Sequence, residues 1–555
     1  MSASDKKKLR KELAAETMTK KQQQERKEAK KLKNISLIFT AVMLAIALTA
    51  GGILVYRAVD NSGVLQKNTI AAVINDTELN VVTVNYYFKD YVQSTYQSWY
   101  STYGDSVSIY AMFMGLDLNQ PLDDQIYDKE KKETWADNFL NGALTKAKSD
   151  YILYNLAKAD KDFKLTEDEQ DALTYATDNI TLYAYYAGYA DIDKYLCMLY
   201  GSGSDLESYK KYHEITTYAS AYYNRYKESL KYDDAAIREY EKGKENNYLS
   251  FDYALYYVNS TDYLKGGTKD ENGKTVYSDA EKDAALVEAK KVADELAKNK
   301  TLISLDEAIK ALPVNKDNKD AAATQHKRVR YANILKAAES WLMSISRREN
   351  DITVVPNEVT SKDADGKEVK STNGYYVLLF MNRDENKSLM SNVRHLLVKF
   401  QGGTTNTNGT TTYTKEEKAE AKAEAERLLK VWQDGSATEE TFINLVKLYS
   451  DDNADAGGLY ENIHADSPYV ESFLNWSINK DRKVGDVELV ESEYGYHIMY
   501  FVGNSEITYR DYMITEDLRA DDVGEWYQKL QDDAKLYIRN TRLVNTDLIV
   551  SMLGY

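Results

Sequence analysis

The chain contains very little cysteine and histidine. Its single cysteine, Cys197, excludes an intramolecular disulfide and a cysteine metal cluster in a chain of 555 residues. Only five histidines occur, and three of them, His213, His326 and His464, lack ligand spacing such as HxxxH. We therefore expect no metal site.

Positive charge is scarce after residue 57. That part of the chain holds 58 Lys and Arg against 83 Asp and Glu, which gives a net charge of −25. Such an acidic surface repels nucleic acid and keeps a protein soluble, so we predict no nucleic-acid partner. Charged residues at 29% and apolar residues at 43% suit a globular body rather than a multi-span membrane protein.

One long hydrophobic run lies near the N-terminus. Residues 35–56 carry no charge, and 22 residues rising about 1.5 Å each as a helix cross a hydrocarbon core of about 30 Å. Residues 1–34 hold 12 Lys and Arg against five Asp and Glu. The positive-inside rule then predicts a cytoplasmic basic tail (1–34), a transmembrane anchor (35–57) and an extracytoplasmic remainder, as in a single-pass cell-membrane protein. A cleaved signal peptide is the alternative, although its apolar region is usually about 7–15 residues long.

Residues 66–232 begin with a strand pair and continue as helices. Residues 71–79 predict a strand, a turn at Asn75-Asp76 and a second strand. From residue 82 to about 231, aromatic and aliphatic residues recur at spacings of three and four, which predicts helices. The tail at 516–548 is also predicted to be helical.

Two segments of the chain repeat one strand pattern. Residues 373–380 read NGYYVLLF and residues 494–501 read YGYHIMYF, with glycine, tyrosine and the closing phenylalanine in register. Each is preceded by a strand and, further upstream, by a helix rich in alanine and lysine. The repeat predicts two α+β domains, 233–388 and 389–505. Chance similarity of two strand pairs is the alternative.

The two remaining histidines, His395 and His497, lie on apolar strands about a hundred residues apart. Between them come an SDD turn at 450–452, a glycine pair at 457–458 and Phe473. This order of parts resembles the parvulin family of peptidyl-prolyl isomerases over residues 391–503. The resemblance implies a PPIase domain that twists X–Pro peptide bonds without a nucleophile or a cofactor.

The resemblance also implies a site. In parvulins two facing histidines and a cysteine or aspartate form its floor, and an apolar socket holds the proline ring. The matching catalytic residues here are His395, His497 and Asp452, with Asp451 as the alternative one position earlier. The substrate-binding residues implied are Phe473, Tyr469, Tyr460 and Tyr494. For each histidine the alternative is a satisfied core residue.

Two departures from the family affect this pocket. Parvulins commonly read GGDLG where this chain has GGLYE at 457–461, and they commonly have methionine where Tyr469 stands. These changes predict a more aromatic pocket. No Lys/Arg cluster precedes the helix that follows His395, so a phosphoserine-proline preference has no support.

The first copy of the repeat lacks both histidines. Tyr376 stands at the position of His497, and the position of His395 falls near Ala254. We therefore interpret residues 233–388 as a degenerate, non-catalytic parvulin-like domain.

Residues 66–232 resemble the N-terminal chaperone domain of SurA/PrsA-type foldases, and the resemblance implies that residues 506–555 pack back on it. Together these features predict a membrane-anchored, extracytoplasmic foldase that binds unfolded exported polypeptides and isomerises their X–Pro bonds. The chain has four prolines of its own, so the activity would serve clients. The alternatives are a holdase whose parvulin-like domains only bind clients, and an adhesin or scaffold.

Overall fold

The computed structural model describes residues 62–362, 367–406 and 409–547, together with residues 4–8, 10, 33, 43 and 49. Within these residues, no helix is both long enough and apolar enough to cross a membrane. The predicted anchor at 35–57 lies outside the described ranges, apart from positions 43 and 49. The chain forms two compact units, 1–230 with 522–555, and 231–521.

The first unit contains helices packed around a small antiparallel sheet. Its N-terminal part has the elements α1 (Val64–Asn68), β1 (Ile70–Ile74), β2 (Thr77–Asn80), α2 (Val81–Tyr103), α3 (Val107–Phe113), β3 (Ile126–Asp128), β4 (Glu133–Thr134), α4 (Trp135–Ala159), α5 (Glu167–Tyr186), α6 (Ile192–Tyr200) and α7 (Leu206–Ser229). Asn75 in the turn between β1 and β2 has φ 51°, a left-handed conformation that asparagine tolerates. The strand, the turn and the helices agree with the sequence prediction, whereas the short strand pair of β3 and β4 interrupts the helical run predicted for residues 82–231.

Tyrosine supplies much of the core of this unit. Tyr86 of α2 is buried against Tyr212 of α7, with ring centroids 5.4 Å apart. Thr134 and Thr166 cap the first turns of α4 and α5 through capping boxes, which fixes where these helices begin.

The second unit begins with a short helix and a first α+β domain, residues 250–384. Its elements are α8 (Asp234–Glu241), β5 (Ser250–Asn259), β6 (Thr268–Lys269), β7 (Thr275–Val276), α9 (Asp279–Leu296), α10 (Leu302–Lys310), β8 (Thr324–Arg330), α11 (Glu339–Leu342), β9 (Ile352–Lys362) and β10 (Glu368–Asp384). The strands form one antiparallel sheet in the order β8-β5-β10-β9, with α9 packed on β5 and β10.

A second α+β domain, residues 389–508, follows in the same unit. Its elements are β11 (Leu389–Lys399), β12 (Thr404–Thr405), β13 (Thr411–Thr412), α12 (Lys415–Gln433), α13 (Glu439–Tyr449), β14 (Leu459–Ile463), α14 (Glu471–Ser477), β15 (Val487–Glu491) and β16 (Gly495–Thr508). The sheet order β14-β11-β16-β15 repeats that of the first domain, strand for strand, and α12 packs on β11 and β16. The two domains therefore share one topology.

A small hairpin of the same form precedes the long helix in each domain. In the first domain the backbone N–H of Gly267 donates to Oε1 of Glu281 at 2.8 Å. In the second the backbone N–H of Gly403 donates to Oε1 of Glu417 at 2.9 Å. The two segments read GGTKDENGKTVYSDAE at 266–281 and GGTTNTNGTTTYTKEE at 402–417.

The C-terminal part of the chain differs from the sequence prediction. The helix predicted at 516–548 ends earlier, because α15 spans Tyr509–Asp533 and is followed by β17 (Leu536–Ile538). Strand β17 pairs antiparallel with β1, which completes a sheet of order β17-β1-β2 in the first unit. An exposed edge of β1 would otherwise leave backbone groups unpaired, and this tertiary pairing overrides the helical pattern.

Candidate active site

The two scarce histidines meet on neighbouring strands of the second domain. In the register of β11 and β16, His395 pairs with Met499 and Leu397 pairs with His497, so both imidazoles lie on the same face of the sheet. Their Nδ1 atoms are 3.0 Å apart, and the two side chains are 2% and 4% exposed. The rings lie nearly parallel, with an angle of 24° between them.

A serine at the end of β15 orients this pair. The hydroxyl of Ser492 lies 2.8 Å from Nε2 of His497, and it accepts a hydrogen bond from the backbone N–H of Tyr494. The Ser492 hydroxyl has two acceptors within reach, His497 Nε2 and the carbonyl oxygen of Gly495 at 3.5 Å. In the arrangement in which it donates to His497, that imidazole carries its proton on Nδ1 and donates it to His395 Nδ1.

Asp452 lies at the other end of this chain of groups. Its Oδ2 is 3.2 Å from His395 Nε2, without the alignment of a hydrogen bond, and it accepts a hydrogen bond from the hydroxyl of Tyr460 at 3.0 Å. The interaction with His395 is the main cause that lowers the pKa of Asp452 to about 2. The carboxylate is therefore ionised at neutral pH, and a proton on the His395 Nε2 that faces it agrees with that arrangement.

The neighbouring aspartate does not reach the histidines. Oδ2 of Asp451 accepts a hydrogen bond from the backbone N–H of Lys399 at 2.9 Å, and the backbone N–H of Asp451 donates to Leu397. Asp451 thus attaches the turn to β11, whereas Asp452 faces the imidazoles. Between these two candidates, the geometry favours Asp452.

Both histidines lie under a group of aromatic rings. The ring of Phe473, on α14, is 5.2 Å from that of His395 and 5.8 Å from that of His497. Tyr469 and Tyr460 contact Phe473 with centroid distances of 5.2 and 5.8 Å. These three rings form an apolar wall beside the imidazoles, and Phe473 is only 3% exposed.

Burial affects the protonation of two groups in this site. Burial first, and then the nearby His395, lowers the pKa of His497 to about 4, so the imidazole is neutral at pH 7. Burial, together with the charge of Asp452, raises the pKa of Tyr460 to about 12, so its hydroxyl keeps its proton as a donor. The site therefore holds the negative charge of Asp452 near the neutral imidazole of His497 and the neutral hydroxyl of Tyr460.

The glycine pair is required by a close approach of two backbone segments. Gly458 has φ +69°, and a Cβ built there would lie 2.2 Å from the carbonyl oxygen of His395. Its own carbonyl accepts the backbone N–H of His395 at 3.0 Å. A larger residue at 458 would push β14 away from the strand that carries the histidine.

One of the predicted site residues lies apart from this group. Tyr494 is 55% exposed in the turn between β15 and β16, and its carbonyl accepts the backbone N–H of Phe400. Its assignment to the substrate pocket stays a prediction. Conversely, the sequence prediction missed Ser492, because its contact with His497 depends on strand register and no motif marks it.

The corresponding face of the first domain carries no imidazole at these positions. In the register of β5 and β10, Tyr376 pairs with Tyr257 as His497 pairs with Leu397. The position of His395 therefore corresponds to Leu255, which refines the predicted position near Ala254. Leu255 lies on the face that corresponds to the histidine pair, whereas Ala254 faces α9 on the other side of the sheet.

No group of three or more His, Cys, Asp or Glu side chains that could hold a metal ion occurs within the described residues.

Comparison with known proteins identifies the domain type. Residues 375–504 match the family described as PPIC-type PPIASE domain, so the chain carries a PPIC-type peptidyl-prolyl isomerase domain. The comparison with curated proteins gave no match.

Solved structures with similarity to this chain include two PrsA proteins. The peptidylprolyl isomerase PrsA from Bacillus anthracis is 18% identical, with a TM-score of 0.16, over 27% of this chain and 59% of that chain. The similarity thus spans less than two thirds of that protein. PrsA from Bacillus subtilis is 14% identical, with a TM-score of 0.24, over 76% of this chain and 96% of that chain. A structure of SurA-like chaperones from Campylobacter jejuni is 14% identical, with a TM-score of 0.15, over 43% and 78%.

Proposed function

We propose that this protein is an extracytoplasmic foldase that binds unfolded exported polypeptides and catalyses cis/trans isomerisation of their X–Pro bonds through the second domain. The observation that carries the proposal is the buried pair of His395 and His497 beneath the rings of Phe473, Tyr460 and Tyr469. A proline ring fits such an apolar wall, and its amide then lies next to the polar floor.

The chemistry requires no covalent step. Rotation about an X–Pro amide is slow because resonance gives the C–N bond partial double-bond character, with a barrier of about 18–20 kcal/mol. The planar amide carries negative charge on its oxygen, and twisting the bond reduces that charge. In our proposal the ionised Asp452 disfavours the planar form and thereby binds the twisted amide better than either planar isomer.

The two histidines act as positioning groups in this proposal. The chain of hydrogen bonds from Ser492 through His497 to His395 fixes both tautomers and keeps a proton on His395 Nε2, toward Asp452. Since the groups are held before the substrate binds, little reorganisation is needed when the amide twists.

Client binding and location extend the proposal to the rest of the chain. The uncharged run at 35–56 after a basic segment supports a membrane anchor with an extracytoplasmic remainder. The helical body at 66–232 and the first domain would hold unfolded segments while the second domain isomerises them. Protease protection and accessibility of tags at either end, in cells, would test the orientation.

A protease-coupled assay with proline peptides tests the enzymatic claim. The full chain should isomerise the peptide faster than buffer, and His497→Ala should lower the rate. Tyr376→Ala, the matched change in the first domain, should leave it unaltered. A wild-type rate equal to that of buffer would remove the isomerase proposal.

A non-catalytic holdase is the second candidate. It is favoured by the first domain, which keeps the same sheet while Leu255 and Tyr376 stand where the histidines would be. Suppression of aggregation of an unfolded protein, unchanged in His497→Ala, together with no isomerisation by the wild type, would select this candidate.

A further inference from the structure

The two α+β domains share a bulge on their outer strands but place different residues in it. In the second domain Asn462 lies in the bulge of β14 with φ 54°, and its backbone N–H donates to Asn392. In the first domain the same position of β8 is Arg328, with φ 52°, and its backbone N–H donates to Asp252. The register of the sheets makes these positions equivalent.

Arginine is an unusual choice for that position. The left-handed region is tolerated by asparagine and glycine, whereas an arginine held there is uncommon and points to a purpose for the side chain. The side chain of Arg328 is 20% exposed, and its guanidinium makes three hydrogen bonds to side chains. It donates to Oδ2 of Asp384 at 3.0 Å, to Oδ1 of Asn386 at 2.5 Å and to Asp466.

One of these partners belongs to the other domain. Asp466 lies in the loop between β14 and α14 of the second domain, and its Oδ2 also accepts the hydroxyl of Tyr509 at 2.7 Å. The aspartate is therefore held from two sides. Both domains lie within one compact unit, so this contact is part of its internal packing.

The loop that carries Asp466 continues directly into the aromatic wall. The backbone N–H of Asp466 donates to Nδ1 of His464, whose ring stacks on Tyr509 at 3.9 Å. The backbone N–H of Tyr469 donates to the carbonyl of Ser467 at 2.8 Å. The ring of Tyr469 then contacts Phe473, so hydrogen bonds within the loop and a ring contact connect Asp466 to the pocket.

We propose that Arg328 of the first domain is a positioning residue for the isomerase site, because it holds Asp466 and thereby the loop that presents Tyr469 and Phe473 to the proline ring. This inference rests on the proposed isomerase function of the second domain. In this arrangement the first domain lacks catalytic groups and yet sets the substrate affinity of its neighbour.

The test compares three single variants of the full chain with short X–Pro peptides. Arg328→Asn places in the first domain the residue that the second domain has in its bulge, so the backbone is not strained further. Asp466→Asn removes the charge on the pocket loop. Asp384→Asn is the matched control, since it removes a charge paired with Arg328 without touching that loop.

We expect Arg328→Asn and Asp466→Asn to raise KM by about fivefold or more with kcat nearly unchanged, because a loosened socket loses binding that the substrate and the twisted state share. Asp384→Asn should keep both constants close to wild type. Loss of folded protein alone would lower the apparent kcat at constant KM, which distinguishes a structural defect.

Unchanged KM in Arg328→Asn and Asp466→Asn, or a fall in apparent kcat alone, would overturn the proposal while leaving the isomerase function standing. A KM increase in all three variants would also overturn it, since Asp384 has no contact with the pocket loop. Wild-type protein without isomerase activity would remove both this inference and the function on which it rests.

Discussion

The first and second α+β domains have the same sheet order, the same hairpin before the long helix and the same bulge on the outer strand, yet only the second carries the histidine pair. In the first, Leu255 and Tyr376 contribute apolar packing where His395 and His497 form a polar floor. The fold depends on which residues face the helices, and those faces are apolar in both domains. The chemistry depends on a few positions of the opposite face.

The two faces of one sheet can therefore differ in sequence independently of each other. Successive residues of a strand point to opposite faces, so the site face can lack imidazoles while the helix face keeps its apolar core. The first domain remains connected to the site through Arg328 and Asp466. The first domain lacks the histidine pair but contacts the domain that carries it.

The largest difference between the two domains is expected when the proline socket of the second domain is removed. Phe473→Ala should lower kcat/KM by about a hundredfold, because it removes the ring that faces both imidazoles and opens the floor to water. The same change should cost about 3–5 kcal/mol of unfolding free energy. Trp341→Ala, on the corresponding short helix of the first domain, should leave kcat/KM unchanged. Peptide kinetics measure the rate, and circular dichroism verifies the fold. Equal losses in both variants would mean that the two pockets act together.

The second test replaces a histidine of the site with the residue that the first domain has at the equivalent position. His395→Leu introduces the residue that the first domain has at this position and leaves the Nδ1 proton of His497 without an acceptor. Losing such a buried partner costs about 1–3 kcal/mol, so kcat/KM should fall by about 5- to 100-fold. Leu255→Ala serves as the control and should keep the wild-type rate. A His395→Leu protein with full activity would show that the imidazole is only a core residue.

The third test measures how the stability of the second domain depends on pH through His497. His497 has a pKa of about 4, below its ordinary value, so its neutral form stabilises the fold fully above about pH 6.5. As the pH falls below that value the unfolded chain takes up the proton first, and this stabilisation is lost as the pH approaches 4.

The rate should follow the protonation of the folded site. We expect kcat/KM to fall about twofold near pH 4, because the imidazolium of His497 no longer accepts the Ser492 hydroxyl. Asp452, with a pKa of about 2, stays ionised at that pH. A rate that stays constant as the pH falls from about 5 to about 3.5 would contradict the protonation of His497 near pH 4.

The smallest effect concerns the shared hairpins. Ser278→Ala and Thr414→Ala each remove the cap of the long helix that follows the hairpin, and each should cost about 1 kcal/mol of unfolding free energy. Denaturant titration of the full chain measures both. The isomerisation rate should not change in Ser278→Ala. Clearly unequal losses of unfolding free energy would show that the two helix caps differ in their contribution to stability, although the hairpins have the same form.

Much of the fold followed from the sequence because it is local or periodic. Strand alternation predicted the pairs of strands, and the paired NGYYVLLF and YGYHIMYF segments predicted two similar domains. The hairpin repeat at 266–281 and 402–417 is a stronger sequence signal of the same repeat, because three glycines and a tyrosine are in register. The PPIC-type domain matched at residues 375–504 also agrees with the resemblance to parvulins that is based on the two histidines.

The site was predictable only where the resemblance marked residues. His395, His497, Asp452 and Phe473 meet in the structure, whereas Ser492 and the Arg328–Asp466 contact had no pattern to mark them. Those contacts depend on strand register and on a left-handed residue, neither of which single-sequence reasoning fixes. The strand β17 escaped prediction for a similar reason, because its partner β1 is distant in the chain.

The pairing of β17 with β1 has a consequence for the order of folding. Asn75 and Lys535, which contact each other beside these strands, are 460 residues apart in the chain. The sheet of the first unit therefore cannot be complete until residue 538 has been synthesised, whereas residues 231–521 form a compact unit of their own and can fold earlier. Once the two α+β domains have folded, they shorten the effective loop between β1 and β17. The entropic cost of pairing these two strands is then lower.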